Sequence, residues 1–237
     1  MSKQTRGKLY LIPVALGGDD VVSLIPPATQ DAARKLRTFV TENARATRAF
    51  LKAIGHPVPL QQIALHQLDH HTRDVEPLLA LLLAGEDCGL MSEAGCPAVA
   101  DPGASLVQRA HDSGVVVVPL AGPSSILLAL MASGMNGQRF AFHGYLPVDR
   151  LERARRLREL EARASRETQI FIETPYRNAA MLQALLEHCR GDTLLCIAAD
   201  LTLPAESVMT RSIALWKTKP PAVDRRLVVF LLSRKEA

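Results

Sequence analysis

The chain has 237 residues, of which 48% are hydrophobic and 22% charged, and its formal net charge is +4. This length fits one large α/β domain or two compact ones. An aromatic fraction of 4% argues against stacking platforms for single-stranded nucleic acid, and no uninterrupted apolar run reaches the roughly 18 residues that span a bilayer. Since the first residues also lack the apolar core of a signal peptide, we expect a cytoplasmic protein with four free cysteines.

The first elements predict strands that end in polar or glycine-rich turns. Residues 9–14 are apolar and partly β-branched, and the glycines after them match no phosphate-binding pattern, so a simple tight turn is favoured. Residues 38–42 predict a second strand that runs into a helix. At that junction Glu42, Asn43 and Arg45 either face a substrate or cap the helix, and the sequence leaves both alternatives open.

A histidine-rich segment follows a third predicted strand at residues 62–65. His66 and His70 have the spacing of one helix face and Asp69 lies between them, a pattern that can bind zinc. Because no further ligand follows at a recognisable spacing, polar loop residues near a cleft are favoured and we expect no metal.

Two loops rich in small residues dominate the middle of the chain. Residues 92–106 contain two glycines and two prolines, and residues 120–127 follow a β-branched run at 115–118 that is typical of a strand buried on both faces. Predicted helices over 104–113 and 124–133 complete an alternation of strands and helices, which indicates a mostly parallel sheet. The carboxyl edge of such a sheet would bring both loops together, where open α/β folds bind ligands.

Residues 134–147 break this alternation, so we place the linker there and predict an N-terminal α/β domain over 1–140 and a C-terminal α+β domain over 141–237. Residues 150–167 contain seven arginines and four glutamates. Glu152 and Glu159 stand four residues before Arg156 and Arg163, the spacing of a salt-bridged exposed helix, which is favoured over a nucleic-acid-binding stripe. Later strand candidates predict a mixed sheet for this domain.

Several catalytic classes lack their motifs in this chain, which has no GxSxG, HExxH or P-loop lysine pattern. The features that still indicate a function are two loops of small residues, which a ligand can approach closely, and a second domain able to close over them. This arrangement suits a group transfer in which a cofactor carries the reactive carbon, such as methyl transfer from S-adenosylmethionine.

Five segments along the chain together carry a resemblance to a known family: LYLIPVALGG, SEAGCPAVADPG, PLAGPSS, FAFHGYLP and ETPYR. Their order and rough spacing resemble the tetrapyrrole (corrin/porphyrin) methylase superfamily, and within it the ribosomal small-subunit RNA methyltransferase I branch and its short bacterial paralogues. The resemblance covers nearly the whole chain. It implies two α/β domains, S-adenosylmethionine bound in the cleft between them, and a homodimer.

The resemblance also implies site residues. The positions that match cofactor contacts are Pro13, Val14, Cys96, Pro97, Val99, Ser124, Ser125 and Thr174. By position, Glu42, His66 and Glu93 are candidates for the general base, although a structural role is favoured for each, and no base is assigned.

Two departures separate the chain from the RNA branch. The acidic EDTRxT segment of that branch is ENARAT here, at residues 42–47, and the carboxyl-terminal part is shorter. These departures leave methyl transfer better supported than ribosomal RNA as its acceptor. Ribosomal RNA, methylated on a ribose 2′-oxygen, is still the leading acceptor, with two alternatives: a tetrapyrrole-like small molecule, or a catalytically silent paralogue that binds RNA through residues 150–166.

Overall fold

The computed structural model describes residues 5–18, 20–68, 72 and 74–234. The chain folds into two compact units, Met1–Ser124 and Ser125–Ala237. Each unit contains one five-stranded sheet with helices, which confirms the predicted pair of α/β domains. The boundary between the units follows Ser124, whereas the predicted boundary follows residue 140.

The first unit alternates strands with helices along the chain. Its strands are β1 (Lys8–Leu11), β2 (Thr38–Thr41), β3 (Ala64–Gln67), β4 (Cys88–Met91) and β5 (Val116–Pro119). Its helices are α1 (Val21–Leu24), α2 (Pro27–Lys35), α3 (Ala44–Ala53), α4 (Glu76–Leu83) and α5 (Ala104–Asp112), with a 3-10 turn at Leu60–Gln62.

All strand pairs of this sheet are parallel, in the order β3-β2-β4-β1-β5. Neighbouring strand residues such as Phe39 and Val40 enter two different hydrophobic clusters, because successive side chains point to opposite faces. One cluster contains Leu79 and Leu106 of α4 and α5, and the other contains Phe50 of α3. Helices therefore cover both faces, and the carboxyl ends of all five strands lie at one edge.

Two local predictions for this unit need correction. The run at 115–118 was predicted to be buried on both faces, but β5 is an edge strand and Val116 is 56% exposed. The third strand occupies Ala64–Gln67 instead of 62–65, because the 3-10 turn that follows Pro59 takes up residues through Gln62.

The second unit contains a mixed sheet, as predicted. Its strands are β6 (Phe140–Tyr145), β7 (Thr168–Ile172), β8 (Leu194–Ala199), β9 (Ser207–Ser212) and β10 (Val228–Ser233), and its helices are α6 (Ser125–Ser133), α7 (Arg150–Arg163), α8 (Asn178–His188) and α9 (Ile213–Thr218). The order is β6-β7-β10-β8-β9, with β6 parallel to β7 and the other pairs antiparallel.

The prediction that FAFHGYLP forms a linker is wrong, because its first six residues are strand β6 inside the second unit. The pairing of β6 with β7 shifts register between Phe142 and Tyr145, and Gly144 between them has a φ of 61°. This irregularity, which glycine tolerates, hides the strand from a periodicity argument. Among the described residues, no helix combines the length and apolar character needed to cross a membrane.

Candidate functional site at the edge of the parallel sheet

The loop that follows β4 has a contorted backbone. Between residues 92 and 103 four residues have positive φ values: Gly95 at 71°, Ala98 at 64°, Ala100 at 65° and Gly103 at 130°. Residues with a Cβ rarely adopt the left-handed region, so the two alanines are held there by the surrounding structure. Strained backbone of this kind is concentrated at ligand-binding sites.

The loop after β1 is joined to this one. The backbone N–H of Val14 donates a hydrogen bond of 2.9 Å to the carbonyl of Gly95, and Pro13 beside it is buried. Strands β1 and β4 are neighbours whose connections leave in opposite directions, toward β2 and toward β5. Ligand crevices of open α/β sheets lie at such points.

The loop after β5 approaches the β1 loop so closely that only glycine fits. A Cβ placed on Gly122 would stand 2.3 Å from the Cβ of Pro13. The Cys96 thiol donates to the Pro123 carbonyl at 3.5 Å, and the Thr29 hydroxyl donates to the Ala121 carbonyl at 2.7 Å. Three loops from three neighbouring strands are thereby fixed against one another.

The thiol of Cys96 is not set up as a nucleophile. Burial raises its pKa above the ordinary value, so it is a neutral thiol at pH 7. The cysteine can serve this surface as a small apolar side chain, and the three loops can bind a ligand through backbone groups and shape.

Polar side chains lie on the same edge, after β2 and β4. The Asn43 carboxamide oxygen accepts from the N–H groups of Arg45 and Ala46, at 3.0 and 3.2 Å, and so caps α3. Its amide nitrogen donates to the exposed carboxylate of Glu93 at 3.2 Å, while Glu42 beside it is half-buried. The structure thus confirms the capping role of Asn43 and brings two of the three predicted general bases to one rim.

The third candidate, His66, lies within β3 opposite Val40. The favoured prediction that it is a loop residue is therefore wrong, and it does not lie on a helix face that it could share with His70. His70 and Asp69 themselves lie outside the described residues. Within the described ranges, no group of three or more histidine, cysteine, aspartate or glutamate side chains is placed to hold a metal ion.

Six of the eight predicted cofactor contacts belong to the first unit, and the other two, Ser125 and Thr174, belong to the second. Ser125 is the first residue of α6, and Thr174 follows β7, where its N–H donates to the buried Glu173 carboxylate at 2.6 Å. Arg177 also donates to that carboxylate.

Sequence reasoning missed two close pairs. One is the contact of Gly122 with Pro13, for which the glycine of PLAGPSS was the available signal. The other is the ion pair between Arg226 and Asp200, at 2.7 Å in the second unit, for which the separation in the chain left no signal.

The chain is similar to a family of methylases, to two named relatives and to a solved structure. The model of the family "Tetrapyrrole (Corrin/Porphyrin) Methylases" matches residues 8–215. A protein of Mesorhizobium japonicum named ribosomal RNA small subunit methyltransferase I is 36% identical over 85% of this chain and 66% of its own length. The protein of the same name from Xylella fastidiosa is 34% identical over 91% of this chain and 76% of its own length. The crystal structure of the methyltransferase CobJ shares the fold, with a TM-score of 0.63 at 18% identity over 96% of this chain and 94% of that one.

Proposed function

The chain belongs to the tetrapyrrole (corrin/porphyrin) methylase family, and we propose that it transfers a methyl group from S-adenosylmethionine to RNA of the small ribosomal subunit. The observation that carries the proposal is the set of three interlocked loops at the carboxyl edge of the parallel sheet. The names of these two relatives, of whose length the match covers 66% and 76%, support the choice of acceptor.

The residues of the three loops suit the proposed cofactor in their chemistry. Backbone groups and small side chains let a ligand approach closely, and a Cβ on Gly122 would stand 2.3 Å from that of Pro13, so the loops keep this arrangement only with glycine there. The residues that would hold the cofactor in the first unit are Pro13, Val14, Cys96, Pro97, Val99 and Ser124. We propose Ser125 and Thr174 as contacts from the second unit.

When bound, the cofactor supplies an activated methyl group, so the protein must orient the acceptor oxygen, exclude water and take up a proton. Glu93 is suited to the last task, because its carboxylate is exposed at the rim and held by Asn43. Glu42 lies on the same rim. His66 is the weaker candidate because it lies within a strand.

Two experiments test the two parts of the proposal. Calorimetric titration with S-adenosylhomocysteine should show saturable binding to cofactor-free, folded protein, and its absence would overturn the cofactor assignment. Comparing small-subunit RNA from a deletion strain and its parent should show one methylated ribose lost on deletion and restored by the wild-type gene.

The two measurements also separate the alternatives. Cofactor binding with unchanged RNA would favour a small-molecule acceptor, whereas RNA binding without cofactor affinity would favour a silent paralogue. We also propose a homodimer on the basis of the family resemblance, and sedimentation equilibrium tests it.

A further inference from the structure

Helix α3 presents three cations in a line. Arg45, Arg48 and Lys52 are all exposed, whereas Thr47 and Phe50 on the other side of the helix are buried. At about 100° per residue, positions i, i+3 and i+7 lie within about 60° of one another around the helix axis. The cations therefore form one stripe along the solvent face of α3, which we call the α3 stripe.

No ion pair among the described residues neutralises the charge of the α3 stripe. Residues 44–53 include no acidic residue. In the part of the chain that the structure describes, the ion pairs of the first unit involve Arg34 and Arg109, and none involves a cation of the stripe. Three uncompensated charges on one helix face attract a polyanion.

The α3 stripe starts at the candidate site. Asn43, which caps α3 and holds Glu93 at the rim, is two residues from Arg45. At about 1.5 Å per residue, Arg45 and Lys52 are about 10 Å apart along the axis, which suits successive phosphates of one strand better than a single small anion. A nucleic-acid strand bound along the stripe would lead to the sheet edge where the proposed acceptor must lie.

Helix α7 has more arginines but a different charge pattern. Arg155 and Arg156 both pair with Glu159, at 3.7 and 3.1 Å, and Glu152 is also exposed on this helix. Arg153 is buried and donates to the Val148 carbonyl at 3.1 Å. The solvent face of α7 therefore exposes both positive and negative side chains, as expected for a solvated helix.

We propose that the α3 stripe binds the phosphate backbone of the acceptor RNA and guides it to the rim of Glu93. This inference rests on the proposed function and adds the surface that recognises the acceptor. Binding would be electrostatic and would fall with added salt, since each neutralised phosphate releases counterions.

The test compares two triple variants in binding to a small-subunit RNA fragment at several salt concentrations. Arg45→Gln with Arg48→Gln and Lys52→Gln should weaken binding about tenfold or more and reduce the slope of log Kd against log salt by about 2 to 3. The matched control, Arg155→Gln with Arg158→Gln and Arg163→Gln, should leave the slope nearly unchanged. Glutamine is a good helix former, so both variants should keep the wild-type circular dichroism spectrum.

Titration with S-adenosylhomocysteine distinguishes failure of this inference from failure of the proposed function. Wild-type cofactor affinity with an unchanged salt slope in the α3 variant would overturn the RNA-binding role of the stripe. A slope reduced only in the α7 variant would also overturn it. Absence of both cofactor and RNA binding in the wild type would overturn the proposed function itself.

Discussion

In the first unit five parallel strands end at one edge, whereas in the second unit three of the four strand pairs are antiparallel and strand ends face both ways. The glutamates of the two units also differ in burial. In the second unit Glu161 and Glu173 are buried and accept hydrogen bonds from within that unit. In the first unit Glu93 is exposed at the rim. The parallel sheet thus brings polar groups to one exposed edge, whereas these two buried acids of the second unit hold its own scaffold.

The largest expected effect of a substitution is on cofactor binding by the first unit. Gly122→Ala would place a Cβ 2.3 Å from that of Pro13 and force the loops apart. Overpacking of this kind costs about 1–3 kcal/mol, and each 1.4 kcal/mol is about tenfold in Kd, so we expect S-adenosylhomocysteine affinity to fall about tenfold to 100-fold in calorimetry.

Gly137→Ala in the second unit is the matched control, because no atom lies within 4 Å of the added Cβ. It should bind as the wild type does. Equal affinity in both variants would mean that the loops of the parallel sheet do not form the cofactor site.

A substitution in the second unit should affect stability and leave cofactor affinity unchanged. Glu161→Ala would remove the acceptor for the Arg190 N–H and the buried Thr193 hydroxyl. Unsatisfied buried donors cost about 1–3 kcal/mol, so we expect the free energy of unfolding in urea to fall by about 2 kcal/mol. A Glu161 variant with wild-type stability would contradict the scaffold role assigned to this acid.

The smallest expected effect concerns cysteine reactivity. Burial raises the pKa of Cys96, and it raises that of Cys189 to about 12. A raised pKa lowers the thiolate fraction at neutral pH, so alkylation should be slow at pH 7 and should accelerate as pH rises toward 9. Cys96, half-buried in the first unit, should react before the buried Cys189 of the second.

Mass spectrometry of iodoacetamide-treated protein would identify the modified cysteine. S-adenosylhomocysteine should slow the reaction of Cys96 and leave that of Cys189 unchanged. Faster modification of Cys189 in the native protein would contradict the burial described here.

The sequence predicted those features that depend on neighbouring residues. Apolar runs located β1 and β2, and Asn43, just before the predicted helix, was correctly named as a possible cap of α3. The same reasoning missed β6, because the irregularity at Gly144 interrupts its periodicity. It also misjudged the burial of β5, since no local pattern reveals that this strand occupies an edge.

The sequence predicted the candidate site only in outline, because the contacts that build it join residues far apart in the chain. Small residues in two loops indicated close approach, and their position after strands indicated the carboxyl edge. The bond from Asn43 to Glu93 and the contact of Pro13 with Gly122 join segments far apart in the chain. Such pairs depend on the order of strands in the sheet, which one sequence does not specify.

Hydrogen–deuterium exchange with and without S-adenosylhomocysteine tests most directly whether the loops of the parallel sheet bind the cofactor. The account predicts slower exchange on binding in peptides that cover residues 12–16, 92–103 and 120–125. Exchange in β8 and β10 of the second unit should stay unchanged. Saturable binding with no protection in any of the three loop segments would contradict the account.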